Sequence, residues 1–177
     1  QVEGNTPISE TGKGGDKLTK ADEIAAKIKE AQNKGYELVS NTYPTDGVFD
    51  KDVDTDQEYT VTLKERVVPV TPDQPKNPGT PVDPNNPDGP EYPAGLEEKD
   101  LNNTVTRTIT YVYADGTPVL NEDGTPKVVT QEAKFTREAK VNLVTGEVTY
   151  GDWTPAQDLT EVKSPEIAKH TVDKATV

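Results

Sequence analysis

The sequence predicts two small folded parts of different class, an α+β part followed by a mainly β part. Three observations carry this. One amphipathic helical stripe lies near the start, runs of alternating apolar residues follow it, and between the two parts proline recurs at every third position.

The helix is predicted over Thr19 to Lys34. Ala21, Ile24, Ala25, Ile28 and Ala31 fall at helical spacing and form one apolar stripe. Thr19 is the expected cap with Asp22 three residues on, and Gly35 supplies a left-handed stop. Glu23–Lys27 and Glu30–Lys34 are expected pairs on the solvated side. Tyr36, Leu38 and Val39 then read as a short strand. Tyr59, Val61, Leu63 and Val67 alternate with Thr60, Thr62, Lys64 and Arg66, the pattern of a half-buried strand. A helix laid across a small sheet buries both stripes.

Prolines stand at 69, 72, 75, 78, 81, 84, 87, 90 and 93. A polyproline II helix has three residues per turn, so this spacing stacks them on one face. The residues between are polar, and at about 3.1 Å each the segment would reach roughly 75 Å if extended. It reads as a semi-rigid spacer over 69–102. A proline-rich ligand for an aromatic groove is the alternative, against which the acidic flanks speak.

Beyond the spacer the pattern is strands only. Thr104 to Tyr113 alternates, with Val105, Ile109, Tyr111 and Tyr113 on one side and threonines on the other. Asp115-Gly116 and Asp123-Gly124 are turn signals. Val129, Ala133 and Phe135 mark the inward face of the next strand, Val128 to Arg137. Val141–Leu143 pairs with Val148–Tyr150 across Thr145-Gly146. The expected division is therefore 1–68, 69–102 and 103–177.

Composition bounds the function. The 177 residues carry 32 acidic and 19 basic side chains, a formal net charge of −13, with 31% apolar residues and no cysteine. Such a field repels nucleic acid and anionic lipid, because displacing phosphate counterions needs Lys and Arg. Neither a nucleic-acid partner nor membrane insertion is expected. Without cysteine there is no disulfide framework and no thiolate metal site. No stretch is apolar enough to span a membrane and no signal peptide is present, so the chain reads as a segment of a larger protein. An isopeptide bond between a Lys and an Asn is one way such a cysteine-free domain is stiffened, though the sequence singles out no pair.

A search for catalytic chemistry finds none, and the chain is not expected to be an enzyme. His170, the single histidine, sits in Ala-Lys-His-Thr with no orienting partner nearby and reads as a surface residue. Gly12-Lys13-Gly14-Gly15 lacks the ending of a phosphate loop and reads as a plain loop. Asp50, Asp52, Asp54 and Asp56 occupy positions 1, 3, 5 and 7 of a calcium loop, but Thr55 and Val61 stand where glycine and glutamate are needed. The four carboxylates are a candidate for weak surface calcium binding, against a solvated loop. No cofactor is required. Trp153, the only tryptophan, is expected to pack over the preceding hairpin rather than stack on a sugar.

Asn103-Thr-Val-Thr-Arg-Thr-Ile-Thr-Tyr111, Val129-Thr-Gln-Glu-Ala-Lys-Phe-Thr-Arg137, Val144-Thr-Gly-Glu-Val-Thr-Tyr-Gly-Asp-Trp153 and Val162-Lys-Ser-Pro-Glu-Ile167 together resemble the B2 unit of mucus-binding (Mub) repeats. These repeats occur in cell-wall-anchored adhesins of lactic acid bacteria. The first half, through Gly35-Tyr-Glu-Leu-Val39 and Asp56-Gln-Glu-Tyr-Thr-Val61, resembles the preceding B1 unit. The resemblance implies an N-terminal ubiquitin-like β-grasp domain lacking its first strand, a second β-rich domain, and an elongated arrangement of the two. B2 units usually read Gly-Tyr where this chain has Lys169-His170, and they continue into another strand after Val177.

The resemblance implies an extracellular, wall-anchored surface module of a Gram-positive bacterium. It would adhere to host mucus through mucin glycans or other secreted glycoproteins, beside adjacent tandem repeats. It transfers no ligand-binding residue. Two alternatives stand beside it: an immunoglobulin-binding module, by analogy with other β-grasp domains, and a structural stalk. Because mucins carry sialate and sulfate, an acidic module is expected to use neutral sugars or protein surface, through tyrosines and the threonine-rich strand face. Acidification is then expected to strengthen binding.

Overall fold

The structure, a computed structural model, describes residues 7–177. In chain order the elements are α1 (Ala21–Asn33), β1 (Tyr36–Asn41), β2 (Val61–Glu65), β3 (Val67–Val70), α2 (Glu98–Leu101), β4 (Asn102–Thr110), β5 (Val128–Thr136), β6 (Ala139–Asn142), β7 (Val148–Tyr150) and β8 (Thr154–Pro155). Helix and strand are mixed and the sheets are small, with orders β1-β2, β3-β6-β7 and β4-β5-β8.

The chain divides into two units at boundaries other than the expected ones. The first comprises the residues up to Val70 with Lys76–Leu96 and Lys140–Thr149. The second comprises Thr71–Pro75, Glu97–Ala139 and Tyr150–Val177. The proline-rich segment is the reason. Polyproline II has no internal hydrogen bonds, so the residues between the prolines keep N–H groups to offer elsewhere. Here they pair across a fold-back: Gly79 N–H to Tyr92 O at 2.9 Å, Tyr92 N–H to Thr80 O at 2.9 Å and Val82 N–H to Pro90 O at 2.9 Å. Turns closed by Asp83 and Asn86 carbonyls reverse the chain, and Val70 and Leu96 are buried at its ends. The segment is an irregular hairpin, not an extended spacer.

In the first unit α1 starts two residues later than expected, and Thr19 does not cap it. A carboxylate outcompetes the cap: Glu10 Oε2 accepts both the Thr19 N–H at 2.9 Å and the Thr19 hydroxyl at 3.0 Å. Glu30–Lys34 forms at 2.9 Å. Glu23 pairs with Lys20 at 2.7 Å rather than with Lys27, which turns to Glu30. The stripe is narrower than its sequence pattern, with Ala31 buried, Ile24 and Ile28 half-buried and Ala25 exposed. Gly35 stops the helix at φ +95. Its backbone is closely approached, since a Cβ there would run into the Leu143 carbonyl. From it β1 pairs antiparallel with β2, Tyr36 opposite Glu65 and Asn41 opposite Val61. Among the described residues of this unit, Val70, Leu96, Val141 and Leu143 are the buried apolar side chains beyond the helix.

In the second unit β4 and β5 pair antiparallel over nine residues without a register slip, Asn102 opposite Thr136 and Thr110 opposite Val128. Ile109 and Ala133 are buried, as the alternation requires, with Leu101 and Val119. Between the strands the sequence Asp-Gly-Thr-Pro occurs twice and folds the same way twice. Asp115 Oδ1 accepts from the Thr117 N–H (2.9 Å) and hydroxyl (2.6 Å), and Asp123 Oδ1 does the same with Thr125. These bonds, the hydroxyl first, hold both carboxyl groups below their usual range. Near the C-terminus Val162 and Val177 exchange both backbone bonds at 3.0 Å.

Candidate functional site

The second unit carries an aromatic and cationic cluster at its surface. The Arg137 guanidinium carbon lies 3.7 Å from the Tyr150 ring centroid and 4.5 Å from that of Trp153. The residues come from the end of β5, the end of β7 and the approach to β8, so three strand ends converge. Arg137 is fixed from behind, with Nε donating to the Asp100 carbonyl at 2.7 Å and its backbone N–H to the Leu101 carbonyl at 3.0 Å. Trp153 is fixed on either side. Gly151 N–H donates to Glu138 O at 2.8 Å, and the Thr154 hydroxyl donates to Thr136 O at 3.2 Å.

Trp153 is therefore not a core residue over the hairpin. It is 40% exposed and Tyr150 42%, and both rings pack on the Arg137 guanidinium. The residue that sequence reasoning missed is Arg137. Its signal was present in its position, directly after a strand whose inward face ends at Phe135, but only the fold brings Tyr150 and Trp153 to it.

The threonine face exists as expected. Thr104, Thr106, Thr108 and Thr110 are all exposed on β4, opposite Lys134, Glu132, Thr130 and Val128 of β5. On the other face the Arg107 side chain donates to Gln131 Oε1 at 2.6 and 3.0 Å and to the Val177 carbonyl at 3.0 Å. That arginine is committed to organising the unit.

In the first unit a cavity of about 1230 Å³ lies among Ile8, Leu18, Ile24, Ile28, Phe49 and Leu63, with Tyr43 and Tyr59 at its side. The two tyrosine rings meet edge to face, centroids 5.4 Å apart. Tyr43 donates its hydroxyl to Glu10 Oε1 at 2.7 Å and accepts the Lys20 N–H at 2.8 Å. That hydroxyl, with the Thr19 bonds, holds the Glu10 carboxyl below its usual range, while burial pushes the Tyr43 phenol up.

Asp50, Asp52, Asp54 and Asp56 all lie exposed on the loop before β2. Asp50 Oδ1 accepts the Asp52 N–H and Asp52 Oδ1 the Asp54 N–H, each at 3.0 Å. These are loop-forming turns, and among the described residues no group of three or more acidic, His or Cys side chains gathers as a metal ion would need. The glycine loop is also exposed and is tied down by its backbone, Gly15 N–H donating to Phe49 O at 2.7 Å. His170 is exposed, its ring 5.0 Å from that of Tyr113.

Two family models match the chain in succession. A mucin binding domain matches residues 3–65, and a Muc B2-like domain matches residues 96–177. The chain belongs to the mucus-binding repeats. Among solved structures, the repeat is similar to a type 2 repeat of the mucus binding protein MUB from Lactobacillus reuteri. The two are 28% identical over 95% of this chain and 77% of that one, with a TM-score of 0.42. A second, described as Mub-RV, is 21% identical over 94% and 76% of the two chains, with a TM-score of 0.47. No curated protein matches. In this repeat the Arg137 cluster falls within the Muc B2-like domain, and the cavity's residues fall within the mucin binding domain. Among the described residues no helix is long and apolar enough to cross a membrane.

Proposed function

We propose that this repeat is an extracellular adhesin module of a wall-anchored bacterial surface protein and that it binds the glycans of host mucus glycoproteins. The observation that carries the reading is the succession of a mucin binding domain and a Muc B2-like domain in one chain. The surface chemistry supports it. Both units present hydroxyl and aromatic groups to solvent, the threonine row of β4 and the rings of Tyr59, Tyr150 and Trp153, and these are the groups that meet sugar hydroxyls and sugar C–H faces.

The first unit is read as a β-grasp module, supported by α1 leading through Gly35 into the β1–β2 pair. With a net charge of −13, the repeat meets sialylated and sulfated mucin against an opposing field. Neutral sugars and protein surface are then the contacts available at neutral pH, and weak single-module contacts add up in a tandem array.

The test is retention of the purified repeat on immobilised mucin, with immobilised immunoglobulin and albumin alongside, at pH 7 and pH 4.5. Retention on mucin that rises at pH 4.5 supports the reading. Retention on immunoglobulin alone would replace it with an antibody-binding module, and retention on none would leave a structural stalk.

A further inference from the structure

We propose that Trp153, braced by Arg137 and Tyr150, is a stacking platform for a neutral pyranose in the second unit. The inference rests on the mucus-glycan reading above and deepens it by assigning a site and a ligand class.

A ring that stacks on sugar must be open, stiff and electron-rich on its face, and Trp153 meets each condition. It is 40% exposed. Its backbone is anchored two residues before, by Gly151 N–H to Glu138 O, and one residue after, where Thr154 pairs with Thr136. Arg137 is itself anchored by Asp100 and Leu101 and packs against both aromatic rings. Little side-chain freedom remains to be lost when a ligand arrives. The aromatic face carries the negative lobe of its quadrupole, which attracts the polarised C–H bonds on the apolar face of a pyranose. A galactoside, whose axial hydroxyl leaves one ring face clear, presents the broadest such face.

Arg137 supplies the polar half. Of its side-chain nitrogens, Nε donates to the Asp100 carbonyl, and among the described residues the Nη groups meet no protein oxygen. The guanidinium covers one face of the Trp153 ring, and its Nη groups remain for ligand hydroxyl oxygens that reach past the ring's rim from the other face. The same cation would attract a carboxylate or sulfate, but its chain neighbour Glu138 and Trp153's neighbour Asp152 are exposed and acidic. With a formal net charge of −13 on the whole chain, the surrounding field opposes a negatively charged ligand, so hydroxyls are favoured over anions.

Trp153 is the only tryptophan, so its fluorescence reads the site directly in the whole chain. The emission is titrated with N-acetyllactosamine and, separately, with its sialylated counterpart. A saturable shift with the neutral disaccharide, at roughly millimolar concentration as for a single weak site, is expected. Arg137→Lys, which removes the planar guanidinium but keeps the charge, should weaken it at least about five-fold. Trp153→Ala should reduce retention on mucin while Trp153→Tyr restores it, each variant melting cooperatively. No spectral response to the neutral sugar, or a response to the sialylated one alone, overturns the assignment. If wild type is retained on mucin and Trp153→Ala equally so, the adhesin reading stands and this site falls. If wild type is not retained on mucin, the adhesin reading falls and the titration still decides whether the platform stacks a sugar.

Discussion

Tyr43 donates its hydroxyl to Glu10 Oε1 across 2.7 Å, joining segments 33 residues apart in the chain. The same carboxylate takes the Thr19 N–H and hydroxyl on its other oxygen, so one acidic side chain ties the start of the described chain to the helix entry and to the loop after β1. Lys20, near both, adds attraction and is itself paired with Glu23.

Glu10 therefore contributes stability only while ionised. Its folded pKa is lowered from 4.5, first by the Tyr43 hydroxyl, so the contribution is full above the unfolded value and is lost as pH falls through the folded one. Glu10→Gln should melt at a lower temperature than wild type at pH 7. The gap should narrow as pH falls through the lowered folded pKa and close below it, where both side chains are neutral. A gap unchanged between pH 7 and pH 3 would show that the charge is not what matters.

Gly35 should tolerate no side chain. Its φ of +95 disfavours L-residues, and a Cβ would meet the Leu143 carbonyl and the Val144 nitrogen. Gly35→Ala is expected to cost at least about 2 kcal/mol, more than the left-handed strain alone. Chemical denaturation measures it, and a loss under about 1 kcal/mol would contradict the close approach.

Lys169 is the only non-glycine among the described residues with positive φ, at 68. Lys169→Gly should stabilise the second unit by about 0.5–1 kcal/mol, read as a higher melting temperature. A neutral or destabilising result would mean that the turn closed by His170 N–H on Ile167 O does not hold Lys169 in the left-handed region.

The folded-back proline segment makes a prediction that an extended spacer does not. The amides of Gly79, Val82 and Tyr92, each bonded across the hairpin, should exchange with solvent at least about ten-fold more slowly than those of the exposed Asp83 and Asp88. Equal, fast exchange at all five would restore the spacer.

Much of this fold was legible in the residues. The stripe of Ala and Ile gave α1, the alternation of Val105 to Ile109 and Val129 to Ala133 gave the β4–β5 ladder, and Gly35 and Gly146 gave turns at positive φ. What misled was local chemistry with a stronger distant partner. Thr19 had the spacing of a cap but a carboxylate nine residues earlier took its donors. Proline at every third residue had the spacing of a rod, yet the amides between pair with one another. The Arg137 cluster was illegible for another reason: it joins residues 13 and 16 positions apart, and no periodicity in the chain encodes that meeting.

The measurement that tests the account most directly is binding of the intact repeat to mucin before and after enzymatic removal of its glycans. The account predicts that binding is lost with the glycans. Binding of equal strength to the stripped protein would contradict it.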